Sequence, residues 1–183
     1  MTKRLVFLSA AALSALMITA TFVAPVTAKE GTVMVGGAAM YPSKNIVENA
    51  VNSKDHTTLV AAVKAAGLVD TLSGAGPFTV FAPTNAAFEK LPKGTVATLV
   101  KPENKATLTK ILTYHVVPGR LAAQDLTNGK KLTTVEGEQL TVRNSGGRIS
   151  IVDSKGGVST VTISNVNQSN GVIHVVNTVL MPG

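Results

Sequence analysis

Apolar residues in the first half of the chain recur at the three- and four-residue spacing of amphipathic helices. We predict a first helix opened by Pro42-Ser43 and a second that follows Asp55 and ends at Gly67. A longer helix starts near Pro102 and ends at Tyr114-His115. The apolar faces are formed by Ile46, Val47, Ala50, Val51, Leu59, Val60, Val63, Ala66, Leu108, Ile111 and Leu112. We expect these helices to pack as struts, with a partner-binding groove among them as the alternative.

The segment 76–88 contains every phenylalanine beyond residue 22, namely Phe78, Phe81 and Phe88. Because large aromatic side chains bury the most apolar area, this segment is expected in the core. The run from Phe78 to Phe81 is bounded by Gly-Pro and by Ala-Pro, which predicts a short buried strand that stops at Pro83. Thr84 can then cap a helix that carries Phe88 back toward the strand.

From Lys130 onward the pattern changes to alternation between apolar and polar residues, interrupted by paired glycines at hairpin spacing. The last strand begins at the turn pair Asn170-Gly171 and runs to Leu180. Helices followed by antiparallel strands indicate one α+β domain over residues 43–183. Residues 29–42, which are rich in glycine and small apolar side chains, are expected to form an extended N-terminal arm.

The first 28 residues have the layout of a secretory signal. Lys3 and Arg4 precede the uncharged stretch Leu5–Val23, and Val26-Thr27-Ala28 supplies small residues for cleavage after Ala28. An uncleaved membrane anchor is the alternative, because the apolar stretch approaches the length that spans a bilayer. We therefore expect a secreted or periplasmic protein without a stable membrane insertion after cleavage. The chain has no cysteine, so packing alone must hold the fold.

The formal net charge is +7, and loss of the two basic residues of the signal would leave +5. Five basic residues in the strand half could share a face: Lys130, Lys131, Arg143, Arg148 and Lys155. Such a face suits acidic glycans or anionic surfaces, although a basic balance is equally consistent with solubility alone. Nucleic acid is not expected as a partner, because the strands lack the stacking aromatics of single-strand binders and the chain is exported.

Two segments and one dipeptide are similar to conserved motifs of the fasciclin domain family. Phe78–Phe88 resembles its first signature block, Asn170–Leu180 its second, and Tyr114-His115 its tyrosine–histidine motif. The resemblance implies a wedge-shaped β-sandwich with helices packed along one edge, and a role in adhesion to cells or matrix. It assigns the signature blocks a mainly structural role, carried here by Phe78, Phe81, Pro83, Thr84, Phe88, Asn170, Gly171 and His174. The segment Ser164–Ser169 contains no Asp, so the family's integrin-type motif does not carry over.

The residues do not indicate an enzyme, a cofactor or a metal site. His56, His115 and His174 lack the spacing at which one helix shares a metal, and there is no Gly-x-Ser-x-Gly elbow. We expect His174 to hydrogen-bond within an apolar strand, His115 to meet carbonyls at a helix end and His56 to be exposed. The carboxylates of Glu136, Glu138 and Asp153 are interpreted as solvated charges at strand edges.

The sequence therefore predicts an exported binding module for a cell-surface protein, a matrix protein or an acidic glycan. Candidate contacts lie around Tyr114, His115 and Val116, whose alternative role is that of buried hinge residues. Basic contacts are expected from Lys130, Lys131 and Arg148. The alternative function is a small-molecule or lipid carrier with a pocket between sheet and helices.

Overall fold

The computed structural model describes residues 31–183, so the predicted signal lies outside the described residues. Six α-helices within this range are α1 (Ile46–Ala50), α2 (Thr57–Ala66), α3 (Val69–Ser73), α4 (Asn85–Glu89), α5 (Thr95–Leu99) and α6 (Lys105–Tyr114). Three short 3-10 turns cover Lys54–His56, Pro102–Asn104 and Ala123–Asp125. None of the helices in residues 31–183 is long and apolar enough to cross a membrane.

The helix ends follow local capping chemistry. At the start of α1 the Asn45 side chain accepts from Glu48 N, and the Glu48 carboxylate accepts from Asn45 N. This capping box places the start of the helix just after the predicted opening at Pro42-Ser43. Helix α2 ends at Gly67, as predicted, because a residue without Cβ readily adopts the left-handed φ of +72° found there. Thr84 caps α4 by accepting from the Ala87 amide.

Nine strands lie in the described residues: β1 (Val33–Val35), β2 (Ala38–Met40), β3 (Phe78–Pro83), β4 (Val116–Pro118), β5 (Lys131–Thr133), β6 (Gln139–Ser145), β7 (Arg148–Val152), β8 (Val158–Gln168) and β9 (Gly171–Val176). Strands β3 to β9 form one seven-stranded sheet in the order β4-β3-β9-β8-β7-β6-β5. The predicted α+β class is confirmed. The sheet is mostly antiparallel, as the alternating pattern indicated, and its one parallel pair joins β3 to β9.

The sheet curls until its edges approach each other. Val135, which follows β5, donates its backbone N–H to the carbonyl of Val116 in β4, at an N–O distance of 2.8 Å. Strand β8 provides part of the bend through register shifts between Val161 and Val166. The curl encloses one apolar core, which includes Phe81, Tyr114, Leu126, Leu140, Val142, Ile151 and Val176. A second core lies between the sheet and the helices and includes Leu59, Val63, Phe88, Leu112 and Ile173.

The N-terminal segment is more structured than the predicted extended arm. Strands β1 and β2 pair antiparallel across Gly36-Gly37, and both glycines have positive φ. Val35 and Met40 are buried in the core between the helices and the sheet. Gly36 and Gly37 form the turn of a hairpin, which packs its alternate apolar residues inward.

Asn170 joins three parts of the fold at the turn before β9. Its Oδ1 accepts from Ile46 N at the start of α1, at 3.1 Å. Its Nδ2 donates to the carbonyls of Leu72 and Gly74 at the end of α3, both at 2.8 Å. Next to it, a Cβ on Gly171 would collide with the backbone of Phe78. The turn pair therefore also serves as a close packing contact between backbone segments.

We expect Asn170→Ala to lower the free energy of unfolding by about 2–3 kcal/mol, because it leaves a buried N–H and buried carbonyls without partners. Urea unfolding followed by circular dichroism would measure the change. Asn128→Ala is the control, since Asn128 makes an exposed side-chain bond to Asn144 N and its loss should cost less than about 1 kcal/mol. Equal losses in the two variants would contradict the structural role assigned to Asn170.

Candidate functional site

The tyrosine–histidine pair is buried at the end of α6. His115 is only 2% exposed, and Tyr114 and Val116 are also in the core. His115 Nδ1 lies 2.8 Å from the Ile111 carbonyl, while Leu180 N donates to Nε2 at 2.9 Å. The Tyr114 hydroxyl accepts from Ser154 N at 2.9 Å. His115 connects the end of α6 to the C-terminal segment, and Tyr114 connects it to the turn between β7 and β8. All three residues are buried, so the predicted contact surface around them is not exposed.

His174 is buried in β9 and is hydrogen-bonded within the fold, as predicted. Its Nε2 lies 2.8 Å from the Leu121 carbonyl, and Asn165 N is 3.4 Å from Nδ1. The imidazole stacks on the ring of Phe81 with 5.7 Å between centroids. Because both ring nitrogens and one ring face are occupied by the fold, His174 is a structural residue.

His56 is buried, contrary to the prediction that it is exposed. The residue is 3% exposed, and its Nδ1 lies 2.9 Å from Ser53 Oγ. Its Nε2 makes no hydrogen bond, and it is the one buried side-chain nitrogen or oxygen in residues 31–183 without a partner. The expectation failed because the 3-10 turn Lys54–His56, which precedes α2, rotates the ring inward.

The pKa values of all three histidines are lowered, chiefly by burial. For His115 the pKa falls to about 4; the Ile111 carbonyl and the Asp153 carboxylate oppose the effect of burial only in part. The Leu180 N–H points at Nε2, which must therefore remain an acceptor. The imidazoles are accordingly neutral at pH 7. No three His, Asp or Glu residues within 31–183 come together in a geometry that would hold a metal ion.

The three carboxylates of the strand half occupy different environments. Lys110 Nζ lies 3.7 Å from Glu136 and 3.3 Å from Glu138. The pKa of Glu138 is lowered, first by the amide of Gly183 and then by the hydroxyl of Ser154. Asp153 departs from the expected edge position: it is buried, and its oxygens accept from the amides of Lys155, Gly157 and Met181. A turn carboxylate that satisfies several amides needs no cationic partner.

The outer surface of β5–β8 carries three of the predicted basic residues, and we call Lys131, Arg143 and Arg148 the basic face. They share one side of the pleat, opposite the buried Leu132, Val142 and Ile149. Between them lie the hydroxyl residues Thr141, Ser145, Ser150 and Thr160. Lys130 is not part of this face, because its Nζ donates to the Asp125 carbonyl at 2.8 Å. Lys155 lies in the turn between β7 and β8.

A cleft of about 50 Å³ lies between the helices and the sheet. Its interior is formed by the apolar residues Leu59, Val63, Val80, Leu112 and Ile173, and by His56. Partly exposed residues of α1, α2 and α3, among them Val47, Val60 and Val69, line it where it reaches the surface. The sequence predicted such a pocket only as an alternative, since periodicity identifies apolar faces and not the space left between them.

Comparisons with known proteins give consistent results. The family model for the fasciclin domain matches residues 54–182. Protein sll1483 of Synechocystis sp. is 48% identical over 84% of this chain and 82% of that protein. The cell surface glycolipoprotein MPB83 of Mycobacterium bovis is 37% identical over 81% of this chain and 64% of that protein. The FAS1 domain pair of the insect cell adhesion molecule fasciclin I superposes with a TM-score of 0.69 at 17% identity, covering 84% of this chain and 58% of that one.

We expect the protein to lose stability as the pH falls from 7 to 5, because the unfolded chain binds protons on its histidines near 6.5 while folded His115 does so only near 4. The stability contributed by the neutral His115 is present above the unfolded pKa, and about 2 kcal/mol of it is lost over this range. His56 and His174 act in the same direction. Urea unfolding at several pH values measures the slope.

The control is His115→Asn, which removes the titrating group. This variant should be less stable at pH 7 and should show a shallower dependence on pH than the parent chain. A parent protein whose free energy of unfolding is constant between pH 7 and 5 would contradict the assignment of neutral, buried histidines.

Proposed function

Because this chain belongs to the fasciclin domain family, we propose that it is an exported binding module that attaches to cell surfaces or matrix through its basic face. The preferred partner is an acidic glycan, with an anionic patch on a surface protein as the second possibility. The observation that carries the proposal is the sign of the charge on the outer surface of β5–β8. Lys131, Arg143 and Arg148 are all exposed there.

The acidic residues near these strands are directed elsewhere. Glu136 and Glu138 are engaged by Lys110 of α6, and Asp153 is buried, with its oxygens bonded to backbone amides. In β5–β8 themselves the sequence contains no Asp or Glu. The outward positive potential of the basic face is therefore not cancelled within the strands that carry it.

The chemistry of the face fits an extended polyanion better than a small anion. Arginine presents a planar fork to carboxylate or sulfate groups, and the intervening threonine and serine hydroxyls can bond sugar hydroxyls. The strand register places Arg143 opposite Ser150, and Arg148 opposite Ser145. Each exposed charge contributes little by itself, so useful affinity requires that one polymer contacts several of them.

Export is part of the proposal. It is supported by the predicted signal and by the similarity to MPB83, a cell surface glycolipoprotein. The role is one of binding without catalysis: the three histidines are occupied by the fold or enclosed by apolar side chains.

A second candidate function is that of a small-molecule carrier, and the cleft between helices and sheet favours it. Its volume of about 50 Å³ is several times the minimum for one water molecule, yet well below the roughly 150 Å³ of a cavity that holds benzene. The interior therefore accommodates a small molecule and not a whole lipid.

We expect the protein to be retained on immobilised heparin at low salt and released as the salt concentration rises, since exposed charges are screened. Changing Lys131, Arg143 and Arg148 together to Ala should weaken retention at least about tenfold. The matched control changes the exposed Lys93, Lys101 and Lys105 to Ala, which removes the same charge from the helical side. Circular dichroism verifies that both variants fold.

Retention on neutral dextran should be absent for all variants. Equal losses in the basic-face variant and in the control would show that net charge alone governs retention. That result, or no retention of the parent protein on heparin or on whole cells, would overturn the proposed binding surface.

A further inference from the structure

The cleft contains one polar atom without a partner, in otherwise apolar surroundings. His56 Nε2 is buried and makes no hydrogen bond. The Ala82 carbonyl lies close to the ring and raises the pKa of His56, against the larger opposite effect of burial, but its position does not meet the geometry of a hydrogen bond to Nε2. An unpaired polar group in the interior costs free energy, so a ligand that pairs with it gains more than its own contact area provides.

The charge state of the site restricts the ligand. Burial favours the neutral imidazole, and the one lining residue with a charged side chain, Lys64, is exposed on α2. A charged group placed at Nε2 would be desolvated without a counter-ion. The buried end of the ligand is therefore uncharged.

The hydrogen bond to Ser53 Oγ leaves two tautomers open for His56. If Ser53 donates to Nδ1, then Nε2 carries the proton and donates; if Nδ1 carries the proton, Nε2 accepts. An alcohol hydroxyl both donates and accepts, so it pairs with Nε2 in either tautomer. A water molecule could do the same at this atom, but the other buried polar side chains of the lining, Ser53 and His115, already have hydrogen-bond partners, and most of the remaining lining is apolar.

The volume and the opening of the cleft limit the size of the rest of the ligand. A volume of about 50 Å³ is about a third of the roughly 150 Å³ cavity that holds the six carbon atoms of benzene, so the interior takes about two or three non-hydrogen atoms of the ligand. The lining residues that are partly exposed, Val47, Val60 and Val69, leave an opening between α1, α2 and α3 through which a longer tail could extend.

We propose that this cleft is a binding site for small, uncharged, mostly apolar alcohols, with His56 Nε2 as the hydrogen-bonding partner of the ligand's hydroxyl group. The site is independent of the basic face, which lies on the outer surface of β5–β8. The two functions can therefore be tested separately on the same protein.

The probe is 1-butanol, which has five non-hydrogen atoms, titrated into the full domain and followed by NMR. The methyl groups of Val63 and Ile173 and the imidazole nitrogens of His56 should shift together and saturate, with a dissociation constant of about 1–10 mM. Butyrate, which has the same chain length but a negative charge, should leave the imidazole nitrogens of His56 unchanged, because its carboxylate would be desolvated at Nε2 without a counter-ion. The variant of Lys131, Arg143 and Arg148 should bind 1-butanol as the parent protein does.

Substitutions at His56 and Val63 separate the effect of the hydrogen bond to Nε2 from the effect of the cleft volume. His56→Phe keeps a ring but removes Nε2, so it should weaken 1-butanol binding about three- to tenfold while binding of 1-chlorobutane changes little. Val63→Phe places four more heavy atoms in the cleft and should abolish the binding of both. Val63→Leu, a smaller change, should weaken both if the phenylalanine variant does not fold.

Absence of methyl shifts up to about 50 mM 1-butanol, well above the expected dissociation constant, would overturn the proposal. So would unchanged affinity in a folded His56→Phe variant, since the hydroxyl would then not contact Nε2. A water molecule detected at His56 that 1-butanol does not displace would show that the cleft serves to hydrate a buried histidine.

Discussion

The fold depends on the parallel pairing of β3 with β9, because the rest of the sheet extends outward from these two strands and the helices pack against them. Strand β4 flanks β3, the long β8 flanks β9, and the helices cover one side of the pair. The pairing begins where backbone meets backbone at Phe78 and Gly171, with no room for a side chain on the glycine. The two strands are about ninety residues apart in the chain. Their contact therefore closes a long loop, and the chain entropy lost in closing it opposes folding.

Buried imidazoles bond the backbone where secondary structure leaves groups unpaired. His115 connects the end of α6 with the C-terminal segment, and His174 connects β9 with the loop at Leu121. A neutral imidazole suits this role, because one nitrogen donates while the other accepts. The same arrangement makes the fold sensitive to acid, since protonation turns the accepting nitrogen into a second donor. His56 differs from the other two in having one nitrogen unpaired, next to the open space of the cleft.

The curled sheet separates two kinds of surface. Its inner side is apolar and filled, whereas the outer side of β5–β8 is basic and rich in hydroxyl groups. Successive side chains of a β-strand point to opposite faces of the sheet. Because Leu140, Val142 and Ile151 point into the core, the residues between them face the solvent. The proposed binding face is therefore a consequence of the register that builds the core. The proposed alcohol site lies on the other side of the β3–β9 pair, under the helices.

Local signals in the sequence determined the α+β class, the strand–turn–helix from Phe78 to Phe88, the end of α2 at Gly67 and the alternation that identifies the outward basic residues. Each of these depends on neighbours in the chain or on a period of two or four residues. Only the tertiary structure decided that the N-terminal segment is a packed hairpin, that Tyr114, His115 and Asp153 are buried, and that Lys130 turns away from the basic face. It also decided that a cleft remains beside His56. The burial of a residue and the volume of a cavity depend on which distant segments of the chain pack together. The hydrophobic pattern does not specify this packing, so it does not predict whether a single polar residue is buried.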